Sequence, residues 1–407
     1  MTARVAYLVV LAAAAAVLAG LFIAGLGGGP GISDTPVYRI YGERIASGDL
    51  PYRDFVVEYP PGALAPFVLA ALVSSTRDGY DAAFQAMMVF SLALVSVLIV
   101  LSLEALRASS GRVALSVGAF LAGTALLGPF VLTRFDLTAA AVTLAAVCAI
   151  LHGRRILGPA LLGAAIATKI YPAVLLPLLV TRTWKRDGAA AALRGLALTV
   201  GTALAVYLPF AILAPEGVAR SVWRQLGRPL QIESLGSAVL LALHNTLGMP
   251  LAWASGSGSQ NLTGTVASVA AAVTTLVGGA ALVLVWARFA RGDTESAARF
   301  ARYAAAAVVA FVAFGKVASP QFLVWLLAIV VLVPGRRGAV ATGLLLAACA
   351  LTRLWFPRTY WELVKEFDPT ASWLVLARDL LLVGLFAALL LPLRNAHGDS
   401  TVARRGK

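Results

Sequence analysis

Long apolar runs separated by short polar or basic stretches repeat along the whole chain. The first covers about residues 5–26 and ends at the glycine-rich Gly27-Gly28-Gly29-Pro30-Gly31. Others fall at about 84–106, 113–132 and 136–151, then as a broken pair at 157–168 and 171–181. The rest lie at 192–213, 264–288, 300–315, 321–334, 339–356 and 372–392. Crossing a bilayer takes about 20 apolar residues in a helix. The pattern therefore predicts an all-α, polytopic membrane protein with about twelve transmembrane helices. Two shorter runs, 62–75 and 235–250, read as re-entrant or interfacial helices that do not span.

The polar breaks alternate in character. Those after the even-numbered runs are basic: Arg107 and Arg112, Arg154 and Arg155, Arg182, Lys185 and Arg186, Arg288 and Arg291, Arg336 and Arg337. Arg4 precedes the first run, and Arg394, Arg404, Arg405 and Lys407 follow the last. Cytoplasmic loops carry such an excess of Lys and Arg, so both termini are expected inside. This gives one transmembrane domain over 1–395 and a basic cytoplasmic tail over 396–407. The non-cytoplasmic side receives a first loop over 27–81 and a long segment over 214–264. The first run reads as a retained anchor rather than a cleaved signal.

Composition agrees with the pattern. Of 407 residues 60% are hydrophobic and 13% charged, against roughly 25% charged in a soluble protein. The net charge of +14 lies in short loop blocks, which excludes a nucleic-acid partner as its explanation. Cys148 and Cys349 lie inside apolar runs and read as core residues. There is no metal-ligand motif, P-loop or dinucleotide fingerprint, so no cofactor is expected and no metal is demanded. A divalent ion at Asp54 and Glu58 remains an alternative.

The candidate chemistry falls on the non-cytoplasmic side. Lys169 and Lys316 each stand at an apolar helix end with a proline close behind. An ammonium there either snorkels to the interface or faces a cavity and binds an anion such as phosphate. Arg228 and Arg358 are placed to serve the same anion. The acids are Asp34, Asp54, Glu58, Asp136 and Glu233. Asp34 follows the first helix, where partial desolvation would suit a general base, but it could equally cap a helix beginning at Thr35-Pro36. Tyr59 brackets Glu58 ahead of Pro60-Pro61. His244 reads either as a packed residue or as a ligand for a sugar hydroxyl. The run Ser255–Asn261 reads as a flexible loop.

Several blocks resemble one family. They are Asp34 to Tyr41, Gly48 to Phe55, Glu58-Tyr59-Pro60-Pro61-Gly62, Arg134-Phe135-Asp136, Ala167 to Pro172, Arg228 to Leu235, and Lys316 to Gln321. Together they resemble the polyprenol-phosphate-sugar-dependent membrane glycosyltransferases of family 87. The resemblance implies the GT-C fold and a donor of one sugar, often mannose, on a polyprenyl phosphate. It also implies that Asp34 is the catalytic base. A lipid phosphate leaves without a general acid, so one carboxylate and a set of cations suffice. Inverting transfer would then go to a cell-envelope glycolipid or glycan on the non-cytoplasmic side. Lys169, Lys316, Arg228 and Arg358 would hold the phosphate. Asp54, Glu58, Glu233 and Gln321 would orient sugar hydroxyls or the first loop, and Asp136 would pin Arg134 or a neighbouring helix. A lipid-sugar flippase or transporter, and a non-catalytic envelope-assembly protein, are the alternative readings.

Overall fold

The structure is a computed structural model and describes residues 2–26 and 32–391. The glycine stretch 27–31 and the tail 396–407 lie outside the described residues.

Helices make up nearly all of it. In chain order they are α1 (Ala3–Gly25), α2 (Thr35–Ala46), α3 (Leu64–Val73), α4 (Arg77–Ala105), α5 (Ser110–Leu127) and α6 (Asp136–Leu151). Then come α7 (Leu157–Thr168), α8 (Leu176–Asp187), α9 (Ala189–Leu213), α10 (Pro215–Leu226) and α11 (Leu235–Leu247). An antiparallel hairpin of β1 (Ala252–Gly256) and β2 (Ser259–Thr263) follows, where the sequence reads as flexible loop. The last helices are α12 (Thr265–Ala290), α13 (Ala297–Ala313), α14 (Phe322–Val330), α15 (Gly335–Trp355), α16 (Tyr360–Glu366) and α17 (Pro369–Leu390).

The expectation of about twelve spanning helices is corrected. Among the described residues seven are long and apolar enough to cross a membrane: α1, α4, α5, α9, α12, α15 and α17. The other apolar runs form shorter helices, such as the 16 residues of α6 and the 9 of α14. The reason is where they sit. Every residue of α14 is buried, whereas α9 buries only Ala192, Gly195 and Thr199. A helix facing lipid must match the bilayer thickness; one enclosed by other helices answers only to their packing. Runs 62–75 and 235–250 become α3 and α11, of 10 and 13 residues, short of a bilayer at ~1.5 Å per residue.

The basic loops meet at one end of the bundle. Arg4 donates to Ser110 Oγ at 2.9 Å and to the Ala108 carbonyl at 2.8 Å. Arg112 donates to the Val331 carbonyl at 2.9 Å, and Arg182 to that of Thr294 at 2.7 Å. Arg302 and Arg337 donate to the last carbonyls of α17, at Leu389 and Ala388. Those carbonyls have no partner within their helix and carry its negative pole, so arginine satisfies both needs. The polar segments that hold the sequence candidates lie at the other ends of the same helices.

Candidate active site

Asp34 is the N-cap residue of α2, yet its carboxylate does not cap. Pro36 at the second helical position has no N–H to offer. The Ser33 hydroxyl accepts the Thr35 N–H at 3.2 Å, and Val37 and Tyr38 donate to the Asp34 carbonyl at 3.0 and 3.1 Å. The side chain is thereby left to other partners. Arg134 donates to its Oδ2 at 2.7 Å and the Tyr38 hydroxyl to the same oxygen at 3.3 Å. Among the described residues nothing donates to Oδ1. The side chain is 28% exposed.

Arg134 lies between a 3-10 turn, Pro129–Leu132, and α6. It is buried, and its Nε has no partner among the described residues. Two residues on, Asp136 opens α6 and turns the other way. Its Oδ1 accepts from Lys169 Nζ at 2.6 Å and from Trp325 Nε1 at 2.8 Å. The Lys169 ammonium also lies 4.3 Å from the centre of the Phe135 ring and 4.8 Å from that of Trp325. Cation–π contact and an ion pair thus stabilise a lysine that burial would otherwise penalise. Asp136 pins α6 to the end of α7 and to α14; Arg134 is held by Asp34 instead.

The first loop closes against this pair. Tyr38 meets Tyr59 edge-on at 5.7 Å, and both meet Phe135 edge-on, at 5.8 and 5.2 Å. Tyr52 donates its hydroxyl to the Tyr59 carbonyl at 2.7 Å. Asp54 forms the turn: its Oδ2 accepts the Leu50 N–H at 2.7 Å, and Arg53 bonds both carboxylate oxygens. The Arg53 guanidinium, then the Leu50 N–H, hold this exposed carboxyl down at about 2. Glu58 lies under the hairpin turn, so close that a Cβ on Gly258 would sit 2.6 Å from its Oε2. Gln225 of α10 donates to the Glu58 carbonyl at 2.5 Å.

A second layer comes from the segment between α10 and α11. Arg228 is half-buried and feels the charges of Glu58, Glu233 and Asp34. Lys316 donates to the Leu226 carbonyl at 2.9 Å, and its own carbonyl accepts the Gln231 N–H at 2.9 Å. Gln231 reads both sides: its amide donates to Glu233 and, at 2.8 Å, to Ser319 Oγ. Glu233 is buried and pushed up to about 7 by that burial, which the nearby Arg378 and Arg134 only partly offset. Gln321 is buried with its Oε1 unpartnered among the described residues. Tyr360 of α16 is buried within reach of the charges of Glu233, Arg134 and Asp34.

Asp34, Tyr59, Glu58, Arg228 and Glu233 are therefore brought together, with Lys316 and Gln321 on the adjoining segment. His244 is not among them: its Nδ1 is 2.7 Å from the Met249 carbonyl and its ring packs edge-on against Phe367. Arg358 is exposed. Tyr38 and Gln231 fall inside blocks that stand out in the sequence but have no role assigned there, and Arg378 and Tyr360 lie outside every such block; the three-dimensional packing brings them in. A cavity of about 380 Å³ opens beside the first loop, lined by Gly48, Pro51, Pro61, Leu64, Val68 and Phe210. No group of three or more His, Cys, Asp or Glu among the described residues is placed to hold a metal ion.

The fold and the sequence agree with known proteins. The crystal structure of ArnT from Cupriavidus metallidurans bound to undecaprenyl phosphate superposes with a TM-score of 0.50 at 16% identity, over 94% of this chain and 76% of that one. Its apo form gives 0.49 and 18%, over 96% and 77%. At this identity the likeness shows a shared GT-C-like fold. No protein of curated function matches the chain in sequence. The model of glycosyltransferase family 87 matches residues 55–320, which include Glu58, Arg134, Asp136, Lys169, Arg228, Glu233 and Lys316. The chain belongs to glycosyltransferase family 87 and is a multi-pass membrane glycosyltransferase.

Proposed function

We propose that this enzyme moves one sugar, mannose by the family resemblance, from a polyprenyl monophosphate to a hydroxyl of a cell-envelope glycolipid or glycan. The single observation that carries the reading is the Asp34 carboxylate. It is released from helix capping, fixed through Oδ2 by Arg134 and Tyr38, and partly exposed as a side chain, with no donor to Oδ1 among the described residues. In the proposed step the acceptor oxygen forms a bond to the sugar's anomeric carbon and its proton passes to Asp34 Oδ1. The anomeric carbon–phosphate bond breaks, its electron pair leaves with the phosphate, and the configuration inverts.

Arg228 and Lys316 are the proposed phosphate ligands, since both border the 226–231 segment beside Asp34. Arg358, exposed on the loop before α16, and Lys169, paired with Asp136, are the other proposed phosphate contacts. Glu58, Glu233 and Gln321 orient sugar hydroxyls, while Asp54 and Tyr59 hold the first loop. The apolar cavity beside that loop, with Leu69, Leu72 and Val73 exposed nearby, fits a prenyl chain. Undecaprenyl phosphate bound to the structurally similar ArnT supports that donor class. The site faces the non-cytoplasmic side, because the basic loops gather at the opposite end.

Purified protein in lipid nanodiscs, given a labelled polyprenyl-phosphate sugar and an acceptor, tests this. Asp34→Asn is expected to lower turnover by about 10²–10⁴, measured at a temperature where the variant is still folded. Undiminished transfer would overturn the base assignment. A wild type inactive with every monophosphate-linked sugar would overturn the donor class.

A further inference from the structure

At the end of the bundle opposite Asp34, α7, α8 and α9 enclose a second cavity, of about 320 Å³. Its volume is within the ~300–1,000 Å³ range of ligand pockets. Arg154, Arg155, Arg182, Arg186 and Arg194 line it, with a single acid, Asp187. Asp187 pairs with Arg155 at 2.9 Å and with Arg186 at 2.8 Å. The other three guanidiniums have no carboxylate partner among the described residues. Arg182 is only 5% exposed. Its Nη1 donates to the Thr294 and Ser296 carbonyls, at 2.7 and 3.3 Å, but its buried Nε has no partner among the described residues. An unsatisfied buried donor is costly, and this arginine is one of the five that line the cavity. The positive-inside bias accounts for basic loops, not for five arginines around one cavity with one of them buried.

Apart from Thr183 the remaining walls are apolar, including Ile150, Pro159, Leu179 and Leu198. Around the cavity Ile156, Leu193 and Trp184 are 72%, 64% and 62% exposed. That surface suits acyl chains, and a tryptophan at this level suits the headgroup boundary. We propose that the cavity binds the phosphate headgroup of an anionic phospholipid, with its acyl chains along Ile156 and Leu193. Guanidinium groups match phosphate oxygens in pairs, and basic pockets between helices on a cytoplasmic face bind such headgroups.

Native mass spectrometry of the full-length protein, offered phosphatidylglycerol, phosphatidylcholine or inorganic phosphate, tests the proposal. Wild type is expected to retain phosphatidylglycerol over phosphatidylcholine. Arg154 and Arg194 are exposed, so the double variant Arg154→Glu, Arg194→Glu should fold with the same unfolding temperature. It should lose phosphatidylglycerol retention by about tenfold or more. Lys185→Glu, on α8 but outside the cavity, should retain it. Equal loss in Lys185→Glu, or undiminished retention in the double variant, would overturn the site. Inorganic phosphate held as firmly as the lipid would overturn its assignment to a lipid.

Discussion

Single residues at this site owe their chemistry to what their neighbours take from them. Pro36 and Ser33 leave Asp34 without a capping task, and Arg134 then supplies the charge that fixes it. Glu233 is the reverse case, a carboxyl that burial holds near neutrality at about 7. An unfolded glutamate titrates near ~4.3. Below that value both states are protonated and the folded state carries no ionisation penalty. Between ~4.3 and about 7 the unfolded chain releases a proton that the folded chain keeps, so stability falls as pH rises and levels off above about 7. The unfolding temperature of wild type should therefore drop from pH 5 to pH 8 more steeply than that of Glu233→Gln. Parallel pH profiles for the two proteins would show that Glu233 titrates normally.

At the scale of elements, two contacts decide how the short helices are held. The first is the Asp136–Lys169 pair, 2.6 Å apart, which joins α6 to the end of α7 and, through Trp325, to α14. Lys169→Met leaves a buried carboxylate without its cation and should cost about 3–5 kcal/mol. Adding Asp136→Leu removes the orphaned charge, so the double variant should be less destabilised than the sum of the singles by about 1–3 kcal/mol. Additive losses in detergent unfolding would count against the pair. The second is the α7–α9 crossing, where a Cβ on Gly163 would meet the Thr199 carbonyl at 2.2 Å. Gly163→Ala should destabilise by about 1–3 kcal/mol, whereas Gly118→Ala, with open space around it, should stay within about 0.5 kcal/mol. Equal unfolding temperatures for these two variants would show that α7 and α9 do not approach so closely. The long helices were legible because lipid demands apolar length: 192–213 and 264–288 in the pattern became Ala189–Leu213 and Thr265–Ala290. The buried ones were not, since α14 is apolar on every face and gives no sign of stopping at 9 residues. The hairpin escaped because its Gly and Ser signal a turn but not the pairing of Trp253 with Leu262. Asp34 could be singled out from its place after the first helix, but its partner could not. Arg134 is 100 residues away, and no local pattern joins them.

The whole molecule is polarised from end to end. Arginines bonded to loop and helix-end carbonyls fill one end, and the Asp34 cluster with the hairpin fills the other. Its orientation follows from which end stays inside, and the proposed one, with the arginines inside, rests on the positive-inside bias. Two exposed positions test it. Ala254 lies on β1 at the proposed outer end, and Lys185 at the basic end of α8. The native Cys148 and Cys349 are buried, so an introduced thiol should dominate labelling. In intact cells a membrane-impermeant maleimide should modify Ala254→Cys at once and Lys185→Cys only after permeabilisation. The reverse order would place the Asp34 cluster in the cytoplasm, and donor and acceptor would then have to be sought on that side. The same result would move the five-arginine cavity to the outer leaflet and remove its claim on cytoplasmic anionic lipids. One labelling experiment on the intact protein thus bears on both ends, because the helices that carry Asp34 and Arg182 belong to one bundle.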